Sequence, residues 1–296
     1  MSTRSRVYTE SFEKDAGFRL CRDGISILAR GCSLGRRLGT AENIALSSHL
    51  DRYFDQILGH PARTASAQDV PLTKSDFVQS EKGPLFKFVN DQTWEFLKNG
   101  SFKFGTAEYY RNTPNIDIQD RSEGLAHIHL VSGEDQLNIS LAAGYSCAIF
   151  CGTSKIGGPN DEVMRRRFGR KRIRIDRLEA FATRAAQRLG ANRSRVHDVV
   201  YRDVHSYAEN LPPVVERFKK LVGTGTLTPT VVHNLNTEFF DTFYEFGLLP
   251  GLYAKPRKYE VESERRIIFE TKTDIRQKTI VIEDQVLKSL VTFLGE

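Results

Sequence analysis

Apolar positions are sparse over the first eighty residues, and their period changes once. Phe18 and Leu20, then Ile25 and Ile27, alternate on either side of Asp23-Gly24. That dipeptide suits a type I′ turn, so the stretch predicts a small hairpin. Ile44, Ser47, Leu50, Phe54, Ile57 and Leu58 then recur at helical spacing and stop before Gly59, which predicts a helix. Residues 60–80 are polar and turn-rich and read as a linker. No internal repeat is visible.

From Pro84 onwards the pattern is denser. Residues 85–89 and 101–104 read as strands, with a short helix over 91–99 between them closed by Gly100. Residues 127–131 and 137–141 flank Gly133 as a hairpin, and the apolar run 144–151 reads as a buried central strand. Residues 173–175 form a short strand, after which Asp176 is expected to cap a helix bearing Leu178, Phe181, Ala185 and Leu189, stopped at Gly190. Pro212 and Pro213 open a further helix through Val215, Phe218 and Leu221, and 238–246 is aromatic-rich and helical. Strands are expected at 260–269 and 279–282, and a terminal helix at 285–293. Strands and helices mix without regular βαβ alternation. The fold class is α+β, with mixed, mainly antiparallel sheets and flanking helices. Two parts are expected: an N-terminal segment, 1–80, and an α+β catalytic domain, 81–296.

Composition changes the picture in one respect. The 296 residues carry 43 Lys and Arg against 37 Asp and Glu, a net charge of +6. Seven of the basic residues fall in 165–174: Arg165, Arg166, Arg167, Arg170, Lys171, Arg172 and Arg174. Without them the two signs nearly cancel, so the chain is near neutral with one basic cluster. Apolar residues at 40% with 19 Phe argue for a folded protein across most of the length. No long uncharged apolar run predicts a membrane span, and no signal-peptide core is seen at the N-terminus. With four cysteines and no export signal, a reducing, cytoplasmic setting is expected, with Cys147 and Cys151 as buried thiols.

Four features carry candidate chemistry. On a strand over 260–269, Glu260, Glu262 and Glu264 would share one face about 6.5–7 Å apart, close enough to perturb one another's ionisation. Such carboxylates suit sugar hydroxyls, a cationic transition state or proton transfer, but also an ordinary ion-paired face. Asp117, Asp120 and Glu123 precede His127 and His129, a set that suits a metal or simply a polar loop and strand face. The basic cluster suits phosphates or a solvated helix. Gly223-Thr224-Gly225-Thr226 follows a helix, lacks the lysine of phosphate loops, and reads as a helix end.

Leu85-Phe86-Lys87-Phe88, then Trp94, Leu97-Lys98-Asn99-Gly100-Ser101-Phe102-Lys103-Phe104-Gly105, resembles the opening of a large family of uncharacterised bacterial proteins, many from phage-defence neighbourhoods. The run 145–151, Phe168-Gly169, 173–176 and the late Lys258-Tyr259 with Glu262-Ser263-Glu264-Arg265 follow in that family's order, so the likeness covers about 84–290. The layout also resembles the ADP-ribosyltransferase plan, a split sheet that holds NAD. That resemblance implies that Lys87 meets the cofactor, that Tyr109 or Tyr110 packs the nicotinamide, that Glu264 is catalytic and that Glu262 completes a Glu-X-Glu pair. Lys87 stands where the plan has Arg or His, and only Gly105-Thr106 stands in for its Ser-Thr-Ser.

The leading expectation is therefore a toxin-like or anti-phage ADP-ribosyltransferase. It would use NAD as substrate and act on a nucleic acid or protein that docks on Arg165, Arg166, Arg167, Arg170, Lys171 and Arg172. A neutralising protein partner would be in keeping with such an activity. Two rivals remain: a metal-dependent nuclease using Asp117, Asp120, Glu123 and His127 or His129, and a non-catalytic phosphate-binding sensor.

Overall fold

A computed structural model describes residues 6–8, 18–22, 25–58, 69–77, 83–115, 118–120, 123–144, 146–222, 229–271, 275 and 279–295. These fall into two compact units. The first comprises 1–76, 121–144 and 202–254; the second comprises 77–120, 145–201 and 255–296. The N-terminal segment thus lies in the first unit as far as residue 76, together with two later stretches of chain.

The first unit is built on a sheet in the order Arg6–Tyr8, Ile25–Arg36, Asp135–Ala142, Leu125–Ser132, Ser206–Asn210, with Phe18–Arg22 also paired to Ile25–Arg36. Its ladders are antiparallel except that of Ser206–Asn210 with Leu125–Ser132. The expected N-terminal hairpin is present: Phe18–Arg22 and Ile25–Arg36 pair from Arg22↔Ile25, and the turn, 23–24, lies outside the described residues. The expected helix spans Thr40–Leu58.

Strand alternation gives this sheet two unlike faces. One carries Ile128, Leu130, Leu137, Ile139 and Leu141, all buried, and packs under helices Pro212–Val222 and Pro229–Tyr253. Tyr207 stacks on Phe246 at 5.0 Å there, and Gly247 admits Leu141 where a Cβ would crowd it at 3.1 Å. The other face is polar. His127, His129, Gln136, Asn138 and Ser140 are buried on it beneath helix Thr40–Leu58, which contributes buried Asn43 and Ser47.

The second unit contains a sheet in the order Ala191–Asp198, Glu264–Thr271, Cys147–Thr153, Leu85–Val89, Lys171–Ile175, Thr292–Gly295. Ser101–Thr106 pairs with both Cys147–Thr153 and Ile280–Glu283. All of these ladders are antiparallel. The architecture is α+β with mainly antiparallel sheets. Helix Leu178–Leu189 lays Phe181 and Ala185 against this sheet, where Phe181 meets Phe102 at 5.6 Å and Phe150 at 5.2 Å. Helix Asp91–Lys98 is capped by the Asn90 side chain and followed by Gly100 at φ 82.

Four expectations are corrected here. Residues 257–262 form a 3-10 turn, Arg257–Glu262, and the strand begins only at Glu264. Between them Ser263 takes a left-handed conformation, φ 43. Glu260, Glu262 and Glu264 therefore do not share a strand face. The terminal helix is short, Gln285–Ser289, because Thr292–Gly295 leaves it to pair with Lys171–Ile175. Asp176 does not cap helix Leu178–Leu189; Arg177 occupies that position, and Asp176 instead pairs with Arg174 at 2.6 Å. The basic cluster starts on a helix, Gly158–Phe168, that its apolar pattern does not announce. Among the described residues, no helix is long and apolar enough to cross a membrane.

Candidate active site

The site is built on strand Cys147–Thr153. One edge of this strand is laddered to Glu264–Thr271 along its length, from Glu264↔Thr153 to Glu270↔Cys147. The other edge is shared between two strands that diverge. Phe86 pairs with Thr153 at one end, and Gly105 and Thr106 pair with Ile149 and Ala148 at the other. Cys151 lies at the fork between them. Gly152 allows the first strand to approach: a Cβ there would meet Leu85 Cδ2 at 2.3 Å and the Phe86 carbonyl at 2.4 Å. Gly105 does the same for the second wall, where a Cβ would meet the Tyr110 ring at 2.7 Å.

Lys87 reaches into the fork. Its Nζ donates to the Cys151 carbonyl at 2.7 Å and stands 4.8 Å from the Phe150 ring centre. Burial holds the ammonium below its usual range, and no carboxylate is ion-paired to it among the described residues. Tyr110, from helix Ala107–Asn112, meets the Cys151 thiol from the other wall at 3.9 Å. Burial pushes the Tyr110 phenol well up. Burial, reinforced by the Glu264 carboxylate, pushes the Cys151 thiol up to about 12.

Glu264 and Arg266 stand two residues apart on the strand beside Cys151, so they share its face. Arg266 Nε donates to Glu264 Oε1 at 2.6 Å, and Lys255 Nζ donates to Oε2 at 2.7 Å. Lys255 also donates to Glu262 Oε2 at 3.2 Å, and Arg167 closes on Glu262 Oε1. Each of the four carboxylate oxygens thus accepts a bond from a cation. Burial acts to raise the Glu264 carboxyl, but Arg266 and Lys255 outweigh it and hold the group below the usual carboxylate range. Burial likewise acts to lower Lys255, and Glu264 and Glu262 reverse it. The backbone N–H of Glu264 donates to the Tyr201 hydroxyl at 2.7 Å. The turn bearing Glu262 is fixed through Ser154, whose N–H and hydroxyl both reach the Ser263 carbonyl, at 2.9 and 3.0 Å.

The structure therefore brings Lys87, Tyr110, Glu262 and Glu264 into one neighbourhood. Glu262 and Glu264 meet through Lys255 rather than along a strand. Tyr109 turns to Lys103, with Nζ 5.0 Å from its ring centre, and touches Tyr110 edge-on at 5.3 Å. Arg265 faces away from the site and is bound to Asp198 at 2.6 and 3.0 Å.

The basic cluster divides. Arg167 belongs to the glutamate centre, and its guanidinium also lies 5.6 Å from the Tyr259 ring centre. Lys171 pairs with Asp91 at 2.9 Å, Arg172 with Asp161 at 3.0 Å and Arg174 with Asp176 at 2.6 Å. Arg165 is half-buried, and Arg166 and Arg170 are exposed; none of these three has an acid partner among the described residues. Only they remain as uncompensated surface charge.

Among the described residues, the acids and histidines considered for a metal are not gathered to hold one. His127 Nδ1 bonds Ser140 Oγ at 2.9 Å, and His129 lies between Ser47 and Asn138 in the first unit's sheet. Glu123 is buried in that unit, Asp120 belongs to the second, and Asp117 lies outside the described residues. Among the described residues no group of three or more His, Cys, Asp or Glu is arranged to hold a metal ion.

Sequence reasoning missed Lys255, Arg266, Cys151 and Tyr201. Arg266 was within reach, since strand alternation from Glu264 puts it on the same face. Lys255 was not, because the intervening turn, not a strand period, brings it back. No family model, no curated protein and no solved structure matches the chain. The resemblance over 84–290 rests on its motifs.

Proposed function

We propose that the fork at Cys151 is the active site of an ADP-ribosyltransferase that uses NAD as substrate, in a cytoplasmic toxin-like or anti-phage role. The observation that carries this reading is an ionised Glu264 on one side of the fork and a Lys87 ammonium without an acid partner on the other. A carboxylate on a rigid strand stabilises the positive charge that develops on a ribose as its bond to nicotinamide breaks. The leaving nicotinamide takes the bonding pair, and an acceptor nucleophile attacks the same carbon while its proton passes to Glu262. An ammonium with unused donors suits the diphosphate of a dinucleotide. Tyr110 supplies an aromatic wall. Arg165, Arg166 and Arg170 favour a phosphate-bearing acceptor, a nucleic acid above all.

The test is incubation of the full chain with NAD labelled in its adenylate part, with DNA, RNA and cell lysate, with and without EDTA. Nicotinamide release and transfer of label are expected in both arms. Glu264→Gln should lower them at least about a hundredfold, the scale of one lost electrostatic stabiliser, with the circular dichroism spectrum unchanged. Undiminished turnover in a folded Glu264→Gln sinks the assignment. Activity on nucleic acid that needs EDTA-sensitive metal and no NAD sinks the reaction class.

A further inference from the structure

Two buried carboxylates at neighbouring positions repel each other, and a protein that uses both must keep them apart or share a cation between them. Here one ammonium touches both: Lys255 Nζ lies 2.7 Å from Glu264 Oε2 and 3.2 Å from Glu262 Oε2. Lys255 is itself buried, at 8% exposure, and its ammonium sits 4.7 Å from the Tyr259 ring centre. It lies at the end of Ala254–Lys255, and the 3-10 turn Arg257–Glu262 folds back so that both acids reach it. We propose that Lys255 is the positioning residue of this centre, holding the Glu262 and Glu264 carboxylates side by side as a pair of acceptors for one substrate. It touches the carboxylates and not the fork, so it acts through them. This role rests on the fork being the active site, but the clamp itself is a property of the free protein.

Other charged or titratable groups face the pair from every side. Arg266 is on the strand of Glu264, Cys151 on the next strand, Arg167 on helix Gly158–Phe168 and Tyr201 beside the Glu264 N–H. Asp120 adds to the negative charge that Lys255 meets. Arg167 pairs with Glu262 and Arg266 with Glu264, while Lys255 touches both.

The test is to titrate the glutamate carboxyl carbons by NMR in the full chain labelled at that carbon, assigning the pair with Glu262→Gln and Glu264→Gln. In Lys255→Met at least one of the two should titrate more than about one pH unit higher than in the native chain. Lys255→Arg should return it towards the native midpoint. Should Lys255→Met fail to fold, Lys255→Gln, which keeps a donor but no charge, takes its place, and the same rise is expected in it. Identical titrations in the native chain and in the uncharged Lys255 variant overturn the clamp. NAD turnover is measured on the same samples. Its acid limb should rise in Lys255→Met and recover in Lys255→Arg; an acid limb unmoved in Lys255→Met overturns the positioning role. Absence of turnover in the native chain defeats the transferase reading, while the carboxyl titration still decides the clamp.

Discussion

Lys87 Nζ donates to the main-chain carbonyl of Cys151 at 2.7 Å, across the gap left where two strands part from a third. A lysine fills the place where a backbone N–H would sit in a continuous sheet. The ladder is satisfied at that carbonyl by a side chain, and an ammonium has further donors to offer a ligand.

Lys87→Met should therefore separate binding from folding. The variant loses no ion pair, and it relieves the cost of a buried charge. It also leaves the Cys151 carbonyl without its donor, so the two effects offset and the urea midpoint is expected to stay near that of the native chain. KM for NAD is expected to rise at least about tenfold, the loss of one charge-assisted hydrogen bond. A large fall in urea midpoint with unchanged KM would make Lys87 a structural residue.

Gly152→Ala tests the fork's geometry. The new methyl would lie 2.3 Å from Leu85 Cδ2 and 2.4 Å from the Phe86 carbonyl, and the second of these is backbone that cannot turn aside. Destabilisation of about 1–3 kcal/mol or more is expected, the range for overpacking. Gly133→Ala, with nothing within 4 Å of its added Cβ but φ 55, serves as the comparison and should cost less. Equal thermal shifts in the two would show that the strands move apart freely.

The basic cluster should split into a docking set and a scaffold set. Replacing Arg165, Arg166 and Arg170 with Glu should weaken nucleic-acid binding and make it less steeply salt-dependent, since each phosphate contact adds nearly one unit to the logarithmic slope. Its effect on melting temperature should be small. Replacing Arg172 with Met should instead lower the melting temperature, because Asp161 loses its partner at 3.0 Å and Phe88 loses a guanidinium 5.7 Å from its ring centre. Fluorescence anisotropy across a salt series, alongside melting curves, checks both; binding lost equally in the two variants refutes the division.

His129 makes a prediction about acid. Asn138 Oδ1 accepts from Gln136 Nε2 at 2.6 Å and also faces His129 Nδ1 at 2.7 Å, so Nδ1 carries the proton and Nε2 accepts from the Ser47 hydroxyl at 2.9 Å. Burial lowers this imidazole to about 4 from 6.5. A depressed histidine contributes stability that is complete above 6.5 and is lost as pH falls towards 4. Between pH 7 and pH 5 its share is about 2 kcal/mol. Urea unfolding of the native chain and His129→Gln at both values should show that difference in the native chain alone. The same pH dependence in both proteins would place the acid sensitivity elsewhere.

Much of the second unit was legible because its elements announce themselves locally. Leu85–Val89 has the expected limits, and Asn90 and Gly100 mark the two ends of Asp91–Lys98. The alternation in Lys-Tyr-Glu-Val-Glu-Ser-Glu misleads for a physical reason: Glu262 and Glu264 are met by Lys255, just ahead of the stretch, and Glu262 also by Arg167, far from it in sequence, and those bonds favour a turn that local period cannot reveal. Strand Ala191–Asp198 was hidden by its arginines. One of them, Arg195, is buried against Glu270 at 2.7 Å, so a residue that reads as solvent-facing is part of the interior. Helix Gly158–Phe168 buries only Asn160 and Met164, too few apolar positions to show a period, and Asp161 closes its first turn by accepting from Gly157 N at 2.7 Å.

The chain passes between its two units five times, and the last passage is at residue 255. Lys255, Glu262, Glu264 and Arg266 all follow that point. During synthesis the strand Cys147–Thr153 must wait for its long partner, Glu264–Thr271, until residue 271 has been made. A polypeptide interrupted before residue 255 holds Lys87 and Tyr110 but lacks Lys255, Glu262, Glu264 and Arg266. The carboxylate centre beside the fork therefore assembles only once synthesis has passed residue 266.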